Sequence, residues 1–358
     1  MGASSACIFK DNILLAAVEE ERLSRVKNDD SFPILSIMEC LRIAEVSINE
    51  ISYISVYWQP WRIYTRSVGT LGKIFQAKQS YKPIINSLSK SLFSKVSKKK
   101  LNNGSWLDLF KIKKIIRKRI GLFNGKIFFH DHHLTHQKYA ENINNWKECI
   151  ILSYDGGGED HSTVISVKKN GKTRAIKKIK WPNSLGHFYS FFTGFLGFQM
   201  LEGEYKMMGL APLGKPKFKD QILKKILMLK SNGEYKLNTK ICDYHAALEN
   251  KFSKEIINIF GSPRIASSEP TQEHINLACS VQAAFEEAQS HMLNWVNKKY
   301  PNIKNLIISG GCALNVSANG SILKSGLFES ISVPPAPHDA GCAIGAALIT
   351  LERKNKIL

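Results

Sequence analysis

The chain opens with two short apolar runs, ACIF and ILLAAV, separated by the polar triplet Lys10-Asp11-Asn12. Such runs around an Asp-Asn pair predict a β-hairpin over residues 3–21. A helix from Ile13 is the alternative, because Ala and Glu favour helices. Pro33 is placed to open a helix over Ile34–Ala44, and the aromatic and β-branched run Ile51–Trp58 predicts a buried strand. A basic helical insert follows over residues 60–125. Within it Ile112, Ile115, Ile116 and Ile120 recur at helical spacing, which predicts an amphipathic helix with a basic face. Lys126–Phe129 reads as a short strand. From Cys149 the pattern is strand, Gly-rich turn, strand, Asn-Gly turn, strand. It matches the first hairpin closely enough to suggest a duplicated hairpin unit in two like lobes.

Asn183–Phe198 is aromatic on every face, which predicts a buried helix capped by Asn183 or Ser184. The next stretch, LEGEYKMMGLAPLGKP, is glycine-punctuated and reads as a functional loop. Residues 217–270 read as polar surface helices and loops. A long amphipathic helix is predicted over Glu273–Lys299, its core stripe running from Ile275 through Val281, Phe285 and Met292 to Trp295. Two strand–glycine–helix units follow. In one, Asn305–Ser309 runs into GGCALN (Gly310–Asn315); in the other, Ile331–Val333 runs into His338-Asp339 and a small-residue helix opened by Gly341.

Composition bounds this picture. A hydrophobic content of 44% supports a globular core, and the 358 residues suffice for two or three lobes. No apolar run is long enough to span a membrane, and the N-terminus lacks the pattern of a secretory signal. Ala6 stands where a myristoylation motif needs Ser or Thr. Seven scattered cysteines without a C-x-x-C pair point to reduced thiols and a cytoplasmic protein. The formal charge of +20 is uneven: residues 71–120 hold 14 Lys/Arg against the single acid Asp108. Solvated lysine-rich surface is the plain reading of that segment. A polyanionic partner or a membrane surface is the alternative.

The candidate chemistry centres on FFHDHHLTHQKYA. If this segment is helical, His132 and His136 share one face a turn apart and can grip one metal ion. The third ligand must then come from far along the chain. His130 and His133 point elsewhere and read as supporting residues. Three glycine turns at strand ends, Asp155–Gly158, Gly310–Gly311 and the turn at Gly341, are suited to cradling phosphate and together predict a nucleotide site.

The blocks GASSAC, AAVEEERLSRVK, DHHLTH, SYDGGGE, SLGHFYSFFTGFLGF, GEYKMMGLAPLG, GGCALNVSANG and HDAGCAIGAAL are similar, in order, to those of the nodulation-protein-U-type O-carbamoyltransferases. The resemblance implies an α/β fold of two ribonuclease-H-like lobes of the sugar-kinase/actin type, expected over residues 1–150 and 151–358, with ATP between them. It implies a divalent metal, iron ahead of zinc, manganese or magnesium, on His132, His136 and Asp339. ATP and carbamoyl phosphate become the implied co-substrates. Asp155, Gly156, Gly157, Gly158, Gly310, Gly311, Asn315 and Gly341 become nucleotide-binding candidates. Glu204 and Lys206 are expected in the active site, and Lys27, with Arg25, at an anion. A hydroxyl of a small-molecule acceptor, on a sugar or secondary metabolite, would attack carbamoyl adenylate. A histidine of the cluster or Asp155 would serve as base.

The family pattern adds a C-terminal adenylate-forming domain and an opening strand before the first hairpin. Neither is found in these 358 residues, which leaves either a sequence clipped at both ends or a separate domain or protein as partner; a homodimer is the other expected association. Two alternatives stay open on residues alone: a sugar-kinase-like phosphotransferase of the same fold, which has no need of the histidine pair, and an RNA-associated carbamoyl-transfer protein, although nucleic acid is the less favoured partner.

Overall fold

A computed structural model describes residues 3–62 and 106–355. Most of the basic insert, with its KVSKKK cluster, therefore lies outside the described residues. The chain divides into two compact units. The first comprises Met1–Asn144, Gly158–Asp160 and Pro334–Leu358; the second comprises Asn145–Gly157 and His161–Val333. The chain first crosses between the units after Asn144. The C-terminal segment, which carries Asp339, belongs to the first unit.

In chain order the first unit holds β1 (Ser5–Lys10), β2 (Ile13–Glu19), α1 (Glu20–Ser24), α2 (Ile34–Ile43), β3 (Tyr53–Val56), α3 (Ile112–Arg119), β4 (Lys126–Phe129) and α4 (His132–Asn142). The hairpin β1–β2 forms as expected. Asp11 and Asn12 adopt φ of 51° and 65°, the left-handed pair that a tight two-residue turn requires. β3 and β4 pair in parallel. On α3, Ile112, Ile115 and Ile116 are buried while Lys113, Lys114, Arg117, Lys118 and Arg119 are exposed. The three cations in its last turn also suit the negative end of the helix dipole.

The second unit continues with β5 (Cys149–Tyr154), β6 (His161–Lys169), β7 (Lys172–Lys180), α5 (Leu185–Phe195), α6 (Glu204–Leu210), α7 (Lys219–Lys225), β8 (Leu227–Leu229), β9 (Tyr235–Leu237), α8 (Tyr244–Ala247), α9 (Lys254–Phe260), α10 (Gln272–Lys299), β10 (Asn305–Ser309), α11 (Val316–Ser325) and β11 (Ser330–Ser332). The chain then returns to the first unit with α12 (Asp339–Asn355). The main sheet of the second unit has the order β11-β10-β5-β6-β7. β6 runs antiparallel to both neighbours, and the pairs β5/β10 and β10/β11 are parallel. This is the strand order of a ribonuclease-H-like lobe, as the resemblance implied. β5 is central and buried at every position, which its continuous apolar run requires. In the first unit the corresponding hairpin and parallel pair form separate two-stranded sheets, with no strand joining them among the described residues.

Two expectations change. The glycine-punctuated stretch after Phe198 contains a helix, α6, because Glu204 anchors its first turn. The Glu204 carboxylate accepts from Ser190 Oγ (2.6 Å) and Leu201 N (2.7 Å). Residues 217–270 also contribute more than surface. Ile222, Ile226, Leu237, Ile256 and Phe260 are buried in the same core as α5 and α10, their apolar positions being spread over several short elements. The long helix α10 forms as expected, although Ile275 and Trp295, the ends of the expected stripe, are only half-buried. Leu277, Val281, Phe285, Ala288 and Met292 are buried along one stripe, and Gln289 donates to the buried Tyr154 hydroxyl at 2.6 Å.

Candidate metal centre and phosphate-binding turns

β4 delivers the chain directly into α4. The Asp131 side chain caps the helix by accepting from Leu134 N at 3.0 Å, so helix geometry starts at His132. His132 and His136 therefore stand one turn apart, their Nε2 atoms separated by 3.1 Å. Asp339 opens α12 and points Oδ1 toward both rings, 3.7 Å from His132 Nε2 and 3.6 Å from His136 Nε2. Cys342, three residues further along α12, completes a cluster of four donor atoms lying within 4.8 Å of one another. Metal–nitrogen bonds of about 2.0–2.1 Å place neighbouring ligands roughly 3–3.5 Å apart, so the imidazole and carboxylate spacing fits one divalent ion. Two imidazoles and a carboxylate are also an appropriate donor set for such an ion.

Close contact between α4 and α12 brings the donors together. A Cβ at Gly345 would overlap the Thr135 carbonyl oxygen, and one at Gly341 would collide with the Tyr139 ring. These glycines let the two backbones approach. Gly341 belongs to the first unit, between the Ala336 carbonyl and the Tyr139 ring.

Residues that sequence reasoning passed over hold His132 in place. Its ring stacks on buried Trp58, with centroids 4.3 Å apart and planes 22° apart. Its backbone N–H donates to the Glu159 carboxylate at 3.2 Å, and the same carboxylate accepts from Gln59 N at 3.0 Å. Burial, and then the neighbouring Asp131, push the Glu159 carboxyl above the usual carboxylate range. Arg62 joins Asp131 (2.8 Å) and Asp160. No spacing rule connects Trp58, Glu159 and His132; only the last residue of the DGGGE block hinted at a role for Glu159. His130 lies behind the cluster, with Nε2 2.8 Å from Thr350 Oγ1. Burial and Arg353 lower its pKa to about 4. His133 is buried beside its two neighbours, edge-on to His132.

In the second unit, the glycine turns meet at the ends of the parallel strands β5 and β10. Gly310 has φ of 91° and no room for a side chain, because a Cβ would run into the Tyr154 carbonyl. A Cβ on Gly311 would stand 2.8 Å from Asp155 Oδ1, and one on Gly186 of α5 would stand 2.6 Å from Gly156 N. Asp155 accepts from Gly156 N at 2.6 Å. Two turns and the start of α5 are thus packed backbone to backbone, an arrangement suited to anions. Gly157 belongs to this unit, whereas Gly158 already belongs to the first. Asn315 caps α11 through Ala318 N and exchanges two 3.0 Å hydrogen bonds with Gln282, which commits its side chain to the fold. Lys206 is exposed on α6, and Arg25 and Lys27 are exposed just after α1.

Among the described residues no helix is long and apolar enough to cross a membrane. The chain is 35% identical over 354 residues to the uncharacterized protein sll1178 of Synechocystis, covering 96% of this chain and 54% of that protein. It is 30% identical over 350 residues to nodulation protein NolNO of Sinorhizobium fredii, covering 98% and 46%. The chain thus spans about half the length of these curated relatives. Among solved structures, it is similar to component A of (R)-2-hydroxyglutaryl-CoA dehydratase from Acidaminococcus fermentans. That likeness has 14% identity, coverage of 98% and 95%, and a TM-score of 0.46. The model of the carbamoyltransferase N-terminus matches residues 2–348, and the chain belongs to that family.

Proposed function

We propose that this chain carries the acceptor-side site of an ATP-dependent O-carbamoyltransferase. The observation that carries the reading is the convergence of His132, His136 and Asp339 from two helices of one unit, in a member of the carbamoyltransferase family. His132 Nε2, His136 Nε2 and Asp339 Oδ1 would hold a divalent ion, iron by the family resemblance, with zinc, manganese and magnesium as alternatives. When bound, such an ion supplies Lewis acidity toward carbonyl and phosphate oxygens.

The donor in this reading is carbamoyl adenylate, made from carbamoyl phosphate and ATP by a separate domain or protein. In the second unit, the glycine turns at Gly157 and Gly310–Gly311 would offer backbone N–H groups to its phosphate, and exposed Lys206 of the same unit would add positive charge. Glu204, already bonded to Ser190 and Leu201, fixes the helix that carries Lys206. An acceptor hydroxyl, on a sugar or secondary metabolite, bonds to the carbamoyl carbon. The bond from that carbon to the phosphate oxygen breaks, and AMP leaves with the electron pair. The hydroxyl proton passes to a base, for which a histidine of the 130–136 cluster and Asp155 are the candidates.

The test supplies the purified chain with carbamoyl phosphate, ATP, a separately produced adenylate-forming domain and a panel of sugar acceptors. Mass spectrometry should find carbamoylated product with the wild type and none with His132→Ala or His136→Ala. Phosphorylated sugar formed by a metal-free preparation would instead establish the kinase reading.

A further inference from the structure

We propose that the exposed face of α3 is a docking surface for an anionic lipid bilayer. The contact is separate from the metal and phosphate sites and stands whether or not the carbamoyl-transfer reading holds. The helix has two distinct sides. Ile112, Ile115 and Ile116 are buried in the first unit, and Lys113, Lys114, Arg117, Lys118 and Arg119 face solvent. Lys113 and Arg117 stand four residues apart, as do Lys114 and Lys118, so the cations form adjacent rows along one side. Elsewhere in this unit, helix cations have acids beside them: Arg42 meets Glu39 and Lys138 meets Glu352, each at 2.7 Å. Lys113, Lys114, Arg117 and Lys118 have no such partner among the described residues. Like charges one turn apart destabilise a helix, so this face gains nothing from its own unit, and its charge complement lies outside the molecule.

The residues at the two ends of α3 favour a lipid surface over a nucleic acid. Phe110, just before the helix, is 60% exposed, and Leu122, just after it, is 56% exposed. The turn Pro60–Arg62 packs against Trp106–Lys111. It carries Trp61, 55% exposed, whose ring is held edge-on against Phe129 with centroids 5.6 Å apart. Cations flanked by exposed aromatic and aliphatic side chains suit an interface that is anionic at the headgroups and apolar beneath them. Tryptophan favours that boundary. A single-stranded nucleic acid would also stack on aromatic rings, but it tracks along a groove. One helix face is convex, and Leu122 offers no ring to stack on.

The test mixes the full chain with vesicles of phosphatidylglycerol and phosphatidylcholine, or of phosphatidylcholine alone, and measures bound protein by co-sedimentation. Wild type should bind the anionic vesicles at about 0.1 M salt. It should leave them at about 1 M, where charges are screened beyond roughly 3 Å, and it should not bind phosphatidylcholine alone. Each cation near an anionic leaflet contributes roughly fivefold in binding. The combined Lys114→Gln, Arg117→Gln and Lys118→Gln variant should therefore bind about 100-fold more weakly. Removing the same charge from β7 of the second unit, by Lys172→Gln, Arg174→Gln and Lys178→Gln, should leave binding within a few-fold of wild type. Circular dichroism checks that the variants fold, and alanine at the three α3 positions serves if the glutamine variant does not. Failure of wild type to bind anionic vesicles would overturn the proposal, as would equal losses in the two triple variants or unchanged binding by the α3 variant. Tighter binding of a single-stranded oligonucleotide, lost in the same α3 variant, would also overturn it and assign the face to nucleic acid.

Discussion

A single carboxylate can organise as much structure as a helix. Glu20 is 3% exposed, and its two oxygens accept from Leu35 N (3.0 Å), Ser36 N (2.8 Å) and Ser36 Oγ (2.7 Å). It therefore caps α2 from the end of the first hairpin, where Pro33 at the N-cap offers no side-chain acceptor. Hydrogen bonds to a charged group contribute about 1.5–3 kcal/mol, and stranding their donors costs more than the bond itself. Glu20→Ala should destabilise the first unit by roughly 3 kcal/mol, with Glu20→Gln, which keeps one acceptor oxygen, losing about half of that. Hydrogen exchange at the α2 amides, followed by mass spectrometry, is the measurement. Unchanged protection in Glu20→Ala would mean that α2 stands without this cap. Nothing in the sequence marks Glu20 apart from Glu19, Glu21 and the other acids near it. The distinction is tertiary: one side chain of the acidic run turns inward and meets open N–H groups.

At the scale of elements, the legible features were local ones. The His132–His136 pair was readable because one turn of helix fixes it. The hairpin β1–β2 was readable because Asp11-Asn12 permits its turn, and α10 because its stripe is long. Asp339 was reached only through the family resemblance, since no spacing rule links two helices far apart in sequence. The glycines of α12 show a similar limit: Gly341 reads as a phosphate turn, yet both it and Gly345 are contact points between helices. That distinction is testable. Gly345→Ala should push α12 away from α4 and weaken metal binding by at least an order of magnitude, although Gly345 is not a ligand; ligand geometry tolerates about 0.5 Å of error. Gly320→Ala, in α11, meets nothing within 4 Å and should stabilise the second unit by about 0.5–1 kcal/mol, through helix propensity and a less flexible unfolded chain. Isothermal titration with zinc, paired with urea unfolding, reads both variants. Equal metal affinity in wild type and Gly345→Ala would show that helix approach does not set the site.

For the molecule as a whole, the division into units separates two kinds of ligand. The proposed metal ligands His132, His136 and Asp339 belong to the first unit, carried by α4 and α12, while the packed glycine turns at β5, β10 and α5 belong to the second. A ligand that binds only the native state stabilises what it bridges, by about 2.7 kcal/mol at a hundredfold excess over Kd. Zinc should therefore slow hydrogen exchange in α4 and α12, whose register it pins, and a chelator should reverse the effect. AMP, offered without metal, should slow exchange at residues 155–157 and 310–311 and at the start of α5. The two footprints should differ even though both come from one chain. Zinc protection confined to residues 155–157 and 310–311 would contradict the assignment of His132, His136 and Asp339 as ligands. AMP protection confined to α4 and α12 would contradict the phosphate role of the glycine turns.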